Sequence, residues 1–261
     1  MIILLHSSKT MVTQPSAYTP TTPIFAAQAQ ELQHYLHTLP ASQLQQAMHI
    51  SAKLAAQVHT QLQQWPQQPP TPALFAFRGD IYSGLRALDF LETQVMFAQQ
   101  HLRILSGLYG VLRALDGVAP YRLEASYRLP AAPYHSLYAY WHQHLAAAIP
   151  PNQPVVNVTS HEYAKLLLPF IPPEHIITPQ FLTRPAPNAE PTFIVVHAKI
   201  ARGAFARWLI MRGTDSADGL QDFNDLGYQF APGLSTPAQP TYVCDAFGGL
   251  GLSQRVTKTR P

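Results

Sequence analysis

The sequence predicts a mixed α/β fold, because short apolar runs typical of buried strands alternate with segments of helical periodicity. An apolar run opens the chain at residues 1–5, and a β-branched run follows at residues 155–159. Between them, apolar residues recur at helical spacing over residues 25–39 and 42–65. With 261 residues, 47% hydrophobic and 12% charged, the chain is long and apolar enough to bury its own core. We expect one domain over residues 1–261.

Composition and processing signals exclude several protein classes. No apolar run approaches the roughly 18–20 residues of a membrane helix. The opening run is too short for a secretory signal, and Lys9 follows it rather than precedes it. The single cysteine, Cys244, excludes an internal disulfide and a cysteine-rich metal site. We therefore expect a cytoplasmic protein with no membrane partner.

Charge is scarce and localised, so its position is informative. The net charge is +3, and residues 11–71 carry only Glu31 and Lys53. By contrast, residues 72–128 carry six arginines and five acids. Candidate functional residues are therefore sought among the charged positions outside the Gln-rich helical segments.

Polar residues follow two predicted strands. After the first strand, the loop at residues 6–10 could meet an anion through small side chains, with Lys9 as the point charge. It lacks the glycines of a P-loop. After a strand predicted at residues 74–77 come Arg78, Gly79 and Asp80. Asp80 is either the N-cap of a helix over residues 81–89 or a carboxylate at a strand-end site.

The segment 97–124 holds a pattern of helix, glycine hairpin and second helix. Its hairpin lies at residues 106–110, and the second helix is predicted over residues 111–116. Such hairpins offer backbone N–H groups to a DNA phosphate, although a simple corner between helices is an alternative. Arg122 and Glu124 follow on one side of an extended stretch, where they either pair with each other or face a ligand together.

Two later strand exits carry further charge. Ser160 is expected to cap a helix after residues 155–159, with Glu162 either in its first turn or at the strand-end opening of Asp80. A strand predicted at residues 192–198 leads into a helix with Lys199, Arg202 and Arg207 on one side. Gly203 and Ala206 cover that basic side thinly, so a ligand could approach it closely. The tail, residues 247–261, is expected to be frayed.

Four internal motifs and the start of the chain resemble one known family. The motifs are FRGDIYSGL at residues 77–85, FAQQHLRILSGLYGVLRALDGVAPYRLE at 97–124, NVTSHEYAKLL at 157–167 and HAKIARGAFARWLI at 197–210. Together with the opening IILLHSSKT they resemble the bacterial YaaA family, also called UPF0246 or DUF328 and linked to peroxide stress. The resemblance implies a single-domain mixed α/β fold with a central sheet, a basic cleft and a helix-hairpin-helix-like segment at about residues 95–117.

The resemblance also implies a function and a set of site residues. Family members are described as binding double-stranded DNA and as limiting peroxide damage by keeping free iron low. Carried over by motif, the cleft cations and the hairpin are Lys9, Arg78, Arg103, Arg113, Arg122, Lys199 and Arg202, with Ser106, Gly107, Tyr109 and Gly110. The family pattern R-L-E-M-G reads R-L-E-A-S here, so that Ser126 replaces a glycine, but the charged set is intact.

Three functions are consistent with these residues. The first is non-specific binding of duplex DNA by arginines and hairpin amides, with affinity falling steeply as salt rises. The second is an enzyme acting on a nucleotide or nucleobase through Asp80, Glu124 and Glu162, since acids in a basic cleft repel phosphate but suit acid–base chemistry. The third is a protein-interaction module built on the Gln-rich helices at residues 25–65. No cofactor and no metal site is predicted, because the histidines lack partners at metal spacing.

Overall fold

The first strand lies at the centre of the largest sheet and organises the fold around it. The computed structural model of the chain describes residues 1–145, 148–149 and 152–249. Residues Ile2–His6 form strand β1, and every one of its side chains is buried. Such a continuous apolar run is typical of a parallel strand covered on both faces. The predicted mixed α/β fold is confirmed.

The elements within the described ranges are as follows. The strands are β1 Ile2–His6, β2 Thr10–Met11, β3 Thr71–Pro72, β4 Phe77–Arg78, β5 Leu102–Ser106, β6 Gly110–Leu112, β7 Gly117–Val118, β8 Val155–Asn157, β9 Ile176–Ile177, β10 Gln180–Thr183, β11 Tyr228–Phe230 and β12 Thr241–Cys244. The α-helices are α1 Ala26–Thr38, α2 Ala41–Met48, α3 Ala52–Gln64, α4 Ala73–Ala76, α5 Asp80–Leu85, α6 Glu92–His101, α7 Leu137–Leu145, α8 His161–Leu167 and α9 Val195–Arg212.

Parallel pairing brings three strand ends to the same edge of the main sheet. Among the described residues this sheet has the order β6-β5-β1-β8-β9. Strand β1 pairs in parallel with β5 on one side and with β8 on the other, and β6 alone is antiparallel, to β5. The carboxyl ends of β1, β5 and β8 therefore lie side by side, which is where open α/β sheets bind ligands.

A smaller sheet and an aromatic cluster complete the core. Strands β10 and β11 flank β12, in parallel and antiparallel pairing respectively. Phe181 on β10 stacks on Tyr242 of β12 at a ring-centroid distance of 5.4 Å. Phe205 of α9 packs against Phe223 at 4.9 Å. The cluster buries large apolar area and holds α9 against the smaller sheet.

Helices α5 and α9 cross with their backbones in contact, and two glycines make this possible. A Cβ on Gly84 of α5 would overlap the carbonyl of Ile200, and a Cβ on Gly203 of α9 would overlap the carbonyl of Ile81. The close approach that the sequence predicted at Gly203 is thus made by another helix of the same chain. The crossing brings Gly84 against Ile200 and Gly203 against Ile81.

Two predicted strands are helical. Residues 74–77 were expected to be extended, but Ala73–Ala76 form the buried helix α4 and only Phe77 begins a strand. Residues 192–198 were also expected to be a strand, but α9 begins at Val195. A short apolar run does not distinguish a strand from a buried helix, and tertiary packing overrides the modest β preference of valine.

The predicted helix-hairpin-helix is wrong, because a β-hairpin occupies most of that segment. Helix α6 ends at His101, and Leu102–Ser106 and Gly110–Leu112 are antiparallel strands joined by a tight turn. The helix expected over residues 111–116 is accordingly absent. Leu102 and Leu105, which extended the helical pattern, are instead buried in β5 beside β1. Pairing with the central strand decided the conformation.

The Gln-rich segment forms three helices rather than two, and some of its glutamines are structural. His49 ends α2 in a left-handed conformation, and Ser51 caps α3 by accepting a hydrogen bond from the Leu54 amide. Gln33 is buried and donates to the Leu62 carbonyl at 3.1 Å. The Gln33 bond ties α1 to α3.

Gly79 occupies the N-cap position of α5, and Asp80 is the first residue of that helix. The predicted cap at Asp80 is therefore wrong by one residue.

The expected strands at the end of the chain are present as β11 and β12. Most of the tail that was expected to fray, residues 250–261, lies outside the described residues. Of the helices formed by the described residues, none combines the length and apolar character that a membrane span requires.

We predict that Gly203→Ala destabilises the protein by about 3 kcal/mol, since the added Cβ forces α5 and α9 apart. Gly233→Ala is the matched control, because Gly233 has open space around its missing Cβ, and its effect should stay within about 0.5 kcal/mol. Urea unfolding midpoints measure both changes. Equal midpoints for the two variants would contradict the crossing.

Candidate functional site

A polar cavity opens at the carboxyl edge of the main sheet. Its volume is about 360 Å³, which is within the range of about 300–1,000 Å³ usual for small-molecule sites. The segments after β1 and β8, the first turns of α5 and α8, and the second turn of α9 form most of its walls. The lining residues are His6, Ser7, Ser8, Lys9, Gly79, Asp80, Ile81, Glu124, Ser160, Glu162, Tyr163 and Lys199. The structure thus brings together five of the predicted site residues: Lys9, Asp80, Glu124, Glu162 and Lys199.

Glu124 is the most buried carboxylate of this cavity. Its side chain is 13% exposed, and one oxygen lies 3.6 Å from the Lys9 Nζ. The other oxygen accepts a hydrogen bond from the Tyr163 hydroxyl at 3.3 Å. Burial raises the pKa of Glu124, Lys9 opposes that shift, and the neighbouring Glu162 adds to it. A partly buried carboxyl group with a raised pKa beside a lysine is of the kind that serves in acid–base chemistry.

Glu162 is held in one orientation by a single neighbour. Its Oε1 accepts hydrogen bonds from both the backbone N–H of Ser126 at 3.1 Å and the Ser126 hydroxyl at 2.8 Å. Ser126 is the residue that replaces glycine in the related sequence pattern, so the hydroxyl contact belongs to this chain's version of the motif. Glu162 also lies in the first turn of α8, where the helix dipole favours a carboxylate.

His6, at the end of β1, is a neutral imidazole in the wall of the cavity. Its Nδ1 accepts a hydrogen bond from the Ser160 amide at 3.2 Å, which leaves the ring proton on Nε2. The ring stacks on Tyr163 with centroids 4.9 Å apart. Burial, together with the positive charges of Arg202 and Lys199, lowers the pKa of His6 to about 3.

A chain of buried hydroxyl groups lies behind the cavity. Ser7 donates to the Tyr163 hydroxyl at 3.1 Å, and Tyr163 in turn donates to Glu124. The Ser7 hydroxyl also interacts with Tyr121, whose own hydroxyl lies 2.6 Å from the Ser106 Oγ. Burial raises the pKa values of both tyrosines, so they stay protonated. The chain links the β-hairpin to Glu124.

The α5–α9 crossing supplies the remaining charges of the cavity. Asp80 is the first residue of α5 and Lys199 lies in the second turn of α9. Lys199 is exposed, whereas Asp80 is half-buried. Both side chains face the cavity because Gly84 and Gly203 let the two helices approach each other. The cavity therefore presents three carboxylates and two lysines to a ligand.

Three of the predicted cleft arginines form hydrogen bonds or a salt bridge within the protein, away from this cavity. Arg78 donates to the carbonyls of Phe75 and Phe77 and to the Gln14 side chain. Arg103 donates to the Leu102 carbonyl at 2.9 Å. Arg113 forms a salt bridge of 2.8 Å with the buried Asp116. Burial lowers the pKa of Arg78 and of Arg103. None of the three lines this cavity.

The hairpin residues Ser106, Gly107, Tyr109 and Gly110 are also placed away from the surface. All four are buried, and the amides of Leu108 and Tyr109 donate to the Ser106 Oγ at 3.2 and 2.9 Å. The hairpin amides that were expected to face a ligand are thus used inside the turn. Gly107 packs against the backbone of Leu123, where a Cβ would clash.

Arg122 and Arg202 lie close to the cavity without lining it. Arg122 borders an adjoining cavity of about 390 Å³, which shares Lys9 with the first. It therefore faces a different space from Glu124, although the sequence placed the two on one side. Arg202 lies 5.9 Å from the centroid of the Phe193 ring, and burial lowers its pKa.

Sequence reasoning missed His6, Ser7 and Tyr163 as site residues. Their positions carried a usable signal, because His6 ends one parallel strand and Tyr163 lies in the helix that follows another. Their apolar surroundings concealed it. Nowhere in the described ranges do three or more His, Cys, Asp or Glu side chains gather as a metal-ion site would require.

We predict an acid-sensitive contribution of His6 to stability. Because its folded pKa is about 3, the unfolded chain takes up a proton between pH 6.5 and 3 that the folded chain does not, so stability falls as the pH falls. Between pH 7 and pH 5 the wild type should lose about 2 kcal/mol more than His6→Gln. His161→Gln, at an exposed position, should behave as the wild type. Urea unfolding at both pH values measures this difference, and parallel losses would contradict it.

Comparison with known proteins identifies the family. A sequence model described as peroxide stress protein YaaA matches residues 1–234. A UPF0246 protein of Salinispora tropica is 45% identical over 258 residues, a match that covers 98% of both chains. A UPF0246 protein of Lactobacillus delbrueckii subsp. bulgaricus is 38% identical over 90% of this chain and 96% of its own length. A UPF0246 protein of Roseobacter denitrificans is 34% identical over 93% of this chain and 98% of its own length. The chain therefore belongs to the peroxide stress protein YaaA family, whose members here carry the name UPF0246 protein.

Proposed function

We propose that this protein serves the peroxide stress response as an enzyme that binds a nucleobase or nucleotide and performs acid–base chemistry on it. The observation that carries the proposal is the convergence of Asp80, Glu124 and Glu162 with two lysines in one cavity of about 360 Å³. That volume suits a single small ligand. Carboxylates in such number would repel a phosphate backbone, whereas they complement the N–H groups of a base.

The polar groups of the cavity match the edge of a nucleobase. Carboxylate oxygens accept from ring and exocyclic N–H groups, and lysine ammonium groups donate to ring nitrogens and carbonyl oxygens. Glu162, fixed by Ser126, is suited to orienting the base. His6 is suited to donating from Nε2 as a neutral group, because its pKa lies far below neutrality. The cavity therefore offers both the hydrogen-bond donors and the hydrogen-bond acceptors that the edge of a base requires.

Glu124 is the proposed acid–base residue. Burial raises its pKa, which favours the protonated form, and the adjacent Lys9 stabilises the carboxylate after the proton leaves. The proposed reaction is proton transfer to or from the base, or protonation that assists cleavage of a glycosidic bond. Tyr163 orients the carboxyl group through its hydrogen bond to Oε1.

We predict that at least one member of a panel of nucleobases, nucleosides and nucleotides stabilises the wild-type protein. At a ligand concentration of 100 times Kd the gain is about 2.7 kcal/mol, which raises Tm by several degrees for a chain of this size. Glu162→Gln should reduce the shift, because the ligand loses an oriented acceptor. Glu124→Gln should bind the same ligand without turning it over, which mass spectrometry of the reaction mixture would detect.

Glu190→Gln is the matched control for both variants, since Glu190 is exposed and does not line the cavity. It should bind and turn over the ligand as the wild type does. The unliganded Tm of each variant checks that the fold is intact. If no compound of the panel moves the wild-type Tm, or if Glu124→Gln retains full turnover, the enzyme proposal fails.

Duplex DNA is the second candidate ligand, and one observation favours it. Lys9, Arg122 and Lys199 lie on three separate segments around the two adjoining cavities, and both lysines are exposed. Such a group could bind phosphates without reading sequence. In that case protection from peroxide, including damage that depends on iron, would come from covering the DNA. Arg103, Arg113 and the hairpin residues would contribute only after rearrangement, because they bind within the protein.

If duplex DNA is the ligand, we predict that the logarithm of the association constant falls linearly with the logarithm of the salt concentration. The slope should be about −3, because three phosphate contacts are expected. Lys199→Glu should weaken binding and reduce the slope by about 1. Arg212→Glu is the control with the same change of sign, since Arg212 lies about 20 Å further along α9. Affinity that is independent of salt, or equal losses in the two variants, would exclude DNA binding at this cavity.

A further inference from the structure

A second cavity adjoins the first and differs from it in charge. It has a volume of about 390 Å³ and shares Lys9 with the acid–base cavity. Its polar lining consists of Lys9, Thr10, Gln57, Gln61, Tyr121 and Arg122. Of the described residues that line it, none is acidic. The two cavities adjoin at Lys9: three carboxylates line the first, whereas Lys9 and Arg122 line the second without an acid.

Arg122 has hydrogen-bonding capacity that the protein does not use. Its Nε is buried and has no hydrogen-bond partner within the protein. The Arg122 side chain forms a hydrogen bond with the Tyr127 side chain. A buried N–H of a cation that lacks an acceptor is costly, so the guanidinium is incompletely satisfied by the protein. Arg122 lines the cavity, and its guanidinium can therefore meet an anion bound there. Guanidinium groups bind phosphate oxygens in a planar, two-pronged geometry.

The glutamines of α3 acquire a role in this setting. Gln57 and Gln61 are one turn apart, so their side chains lie on the same face of the helix, and that face lines the cavity. Their amide N–H groups can donate to an anion without adding charge.

We propose that the second cavity is a subsite for the phosphate ester of a ligand whose base occupies the acid–base cavity. Lys9, at the junction, would contact both ends of that ligand. The inference rests on the proposed function for the identity of the base, but the phosphate subsite stands on its own residues. The phosphate could belong to a free nucleotide or to a nucleotide within DNA, since both offer the same ester.

The test compares each nucleoside with its 5′-monophosphate by calorimetric titration of the full-length protein. Wild type should bind the monophosphate at least about tenfold more tightly, the usual gain from hydrogen bonds between charged groups. Arg122→Gln and Gln61→Glu should remove that preference and leave nucleoside affinity unchanged. Arg128→Gln and Gln46→Glu make the same charge changes at exposed positions outside the cavity and should keep it.

The outcomes separate this inference from the proposed function. If nucleosides bind but the phosphate adds nothing, or if the preference survives both Arg122→Gln and Gln61→Glu, the subsite is refuted while the base site stands. If no nucleoside binds but inorganic phosphate binds in a manner that Arg122→Gln weakens, the subsite stands and the base site falls.

Parallel titrations with a short duplex identify the source of the ester. Binding of the free monophosphate that depends on Arg122 assigns the subsite to a free nucleotide. Arg122-dependent binding of the duplex, without binding of the monophosphate, assigns it to a DNA phosphate. Absence of Arg122-dependent binding for monophosphate, duplex and inorganic phosphate alike overturns the inference.

Discussion

The parallel pairing of β1 with both β5 and β8 is the constraint on which the rest of the structure depends. It requires a strand that is apolar on both faces, and residues Ile2–His6 meet that requirement because every side chain is buried. Once β1 is central, the segments after β1 and β8 must leave the sheet at the same edge. The polar cavity follows from this topology, since His6 and Ser160 meet there through a hydrogen bond between two strand exits.

Charged residues of this protein divide into those that hold the fold and those that face open space. Arg113 pairs with the buried Asp116, and Arg78 donates to the carbonyls of Phe75 and Phe77, so both arginines are used within the protein. Lys9 and Lys199 are different, because they are exposed at the cavity. A sequence motif preserves both kinds of residue equally well, so a motif alone does not tell a structural arginine from one that meets a ligand.

The sequence was informative where its pattern coincided with the tertiary environment. The buried first strand, the strand at residues 155–157 and the position of Glu162 beyond that strand could be read from apolar runs and their polar exits. Asp80 and Glu124 also line the cavity, although the strand predicted before Asp80 is mostly helix and Glu124 was expected only in an extended stretch. The β-hairpin could not be read in this way, because Leu102 and Leu105 suit a helix face and a central strand equally well. The small strand-like runs before Phe77 and Val195 failed for the same reason. Local preference is weak compared with the packing that surrounds such short segments.

The hydroxyl chain that runs from Ser106 through Tyr121, Ser7 and Tyr163 to Glu124 has a consequence for how the site tolerates change. Its members carry no formal charge, yet each fixes the direction in which the next can donate. A polar but uncharged connection of this kind joins Glu124 to the β-hairpin, whose Gly107 also packs against the backbone of Leu123 and Glu124. Glu124 is therefore held to the hairpin both through its backbone and through the hydroxyl chain. We expect substitutions along that chain to change the surroundings of the Glu124 carboxyl group even where they do not line the cavity.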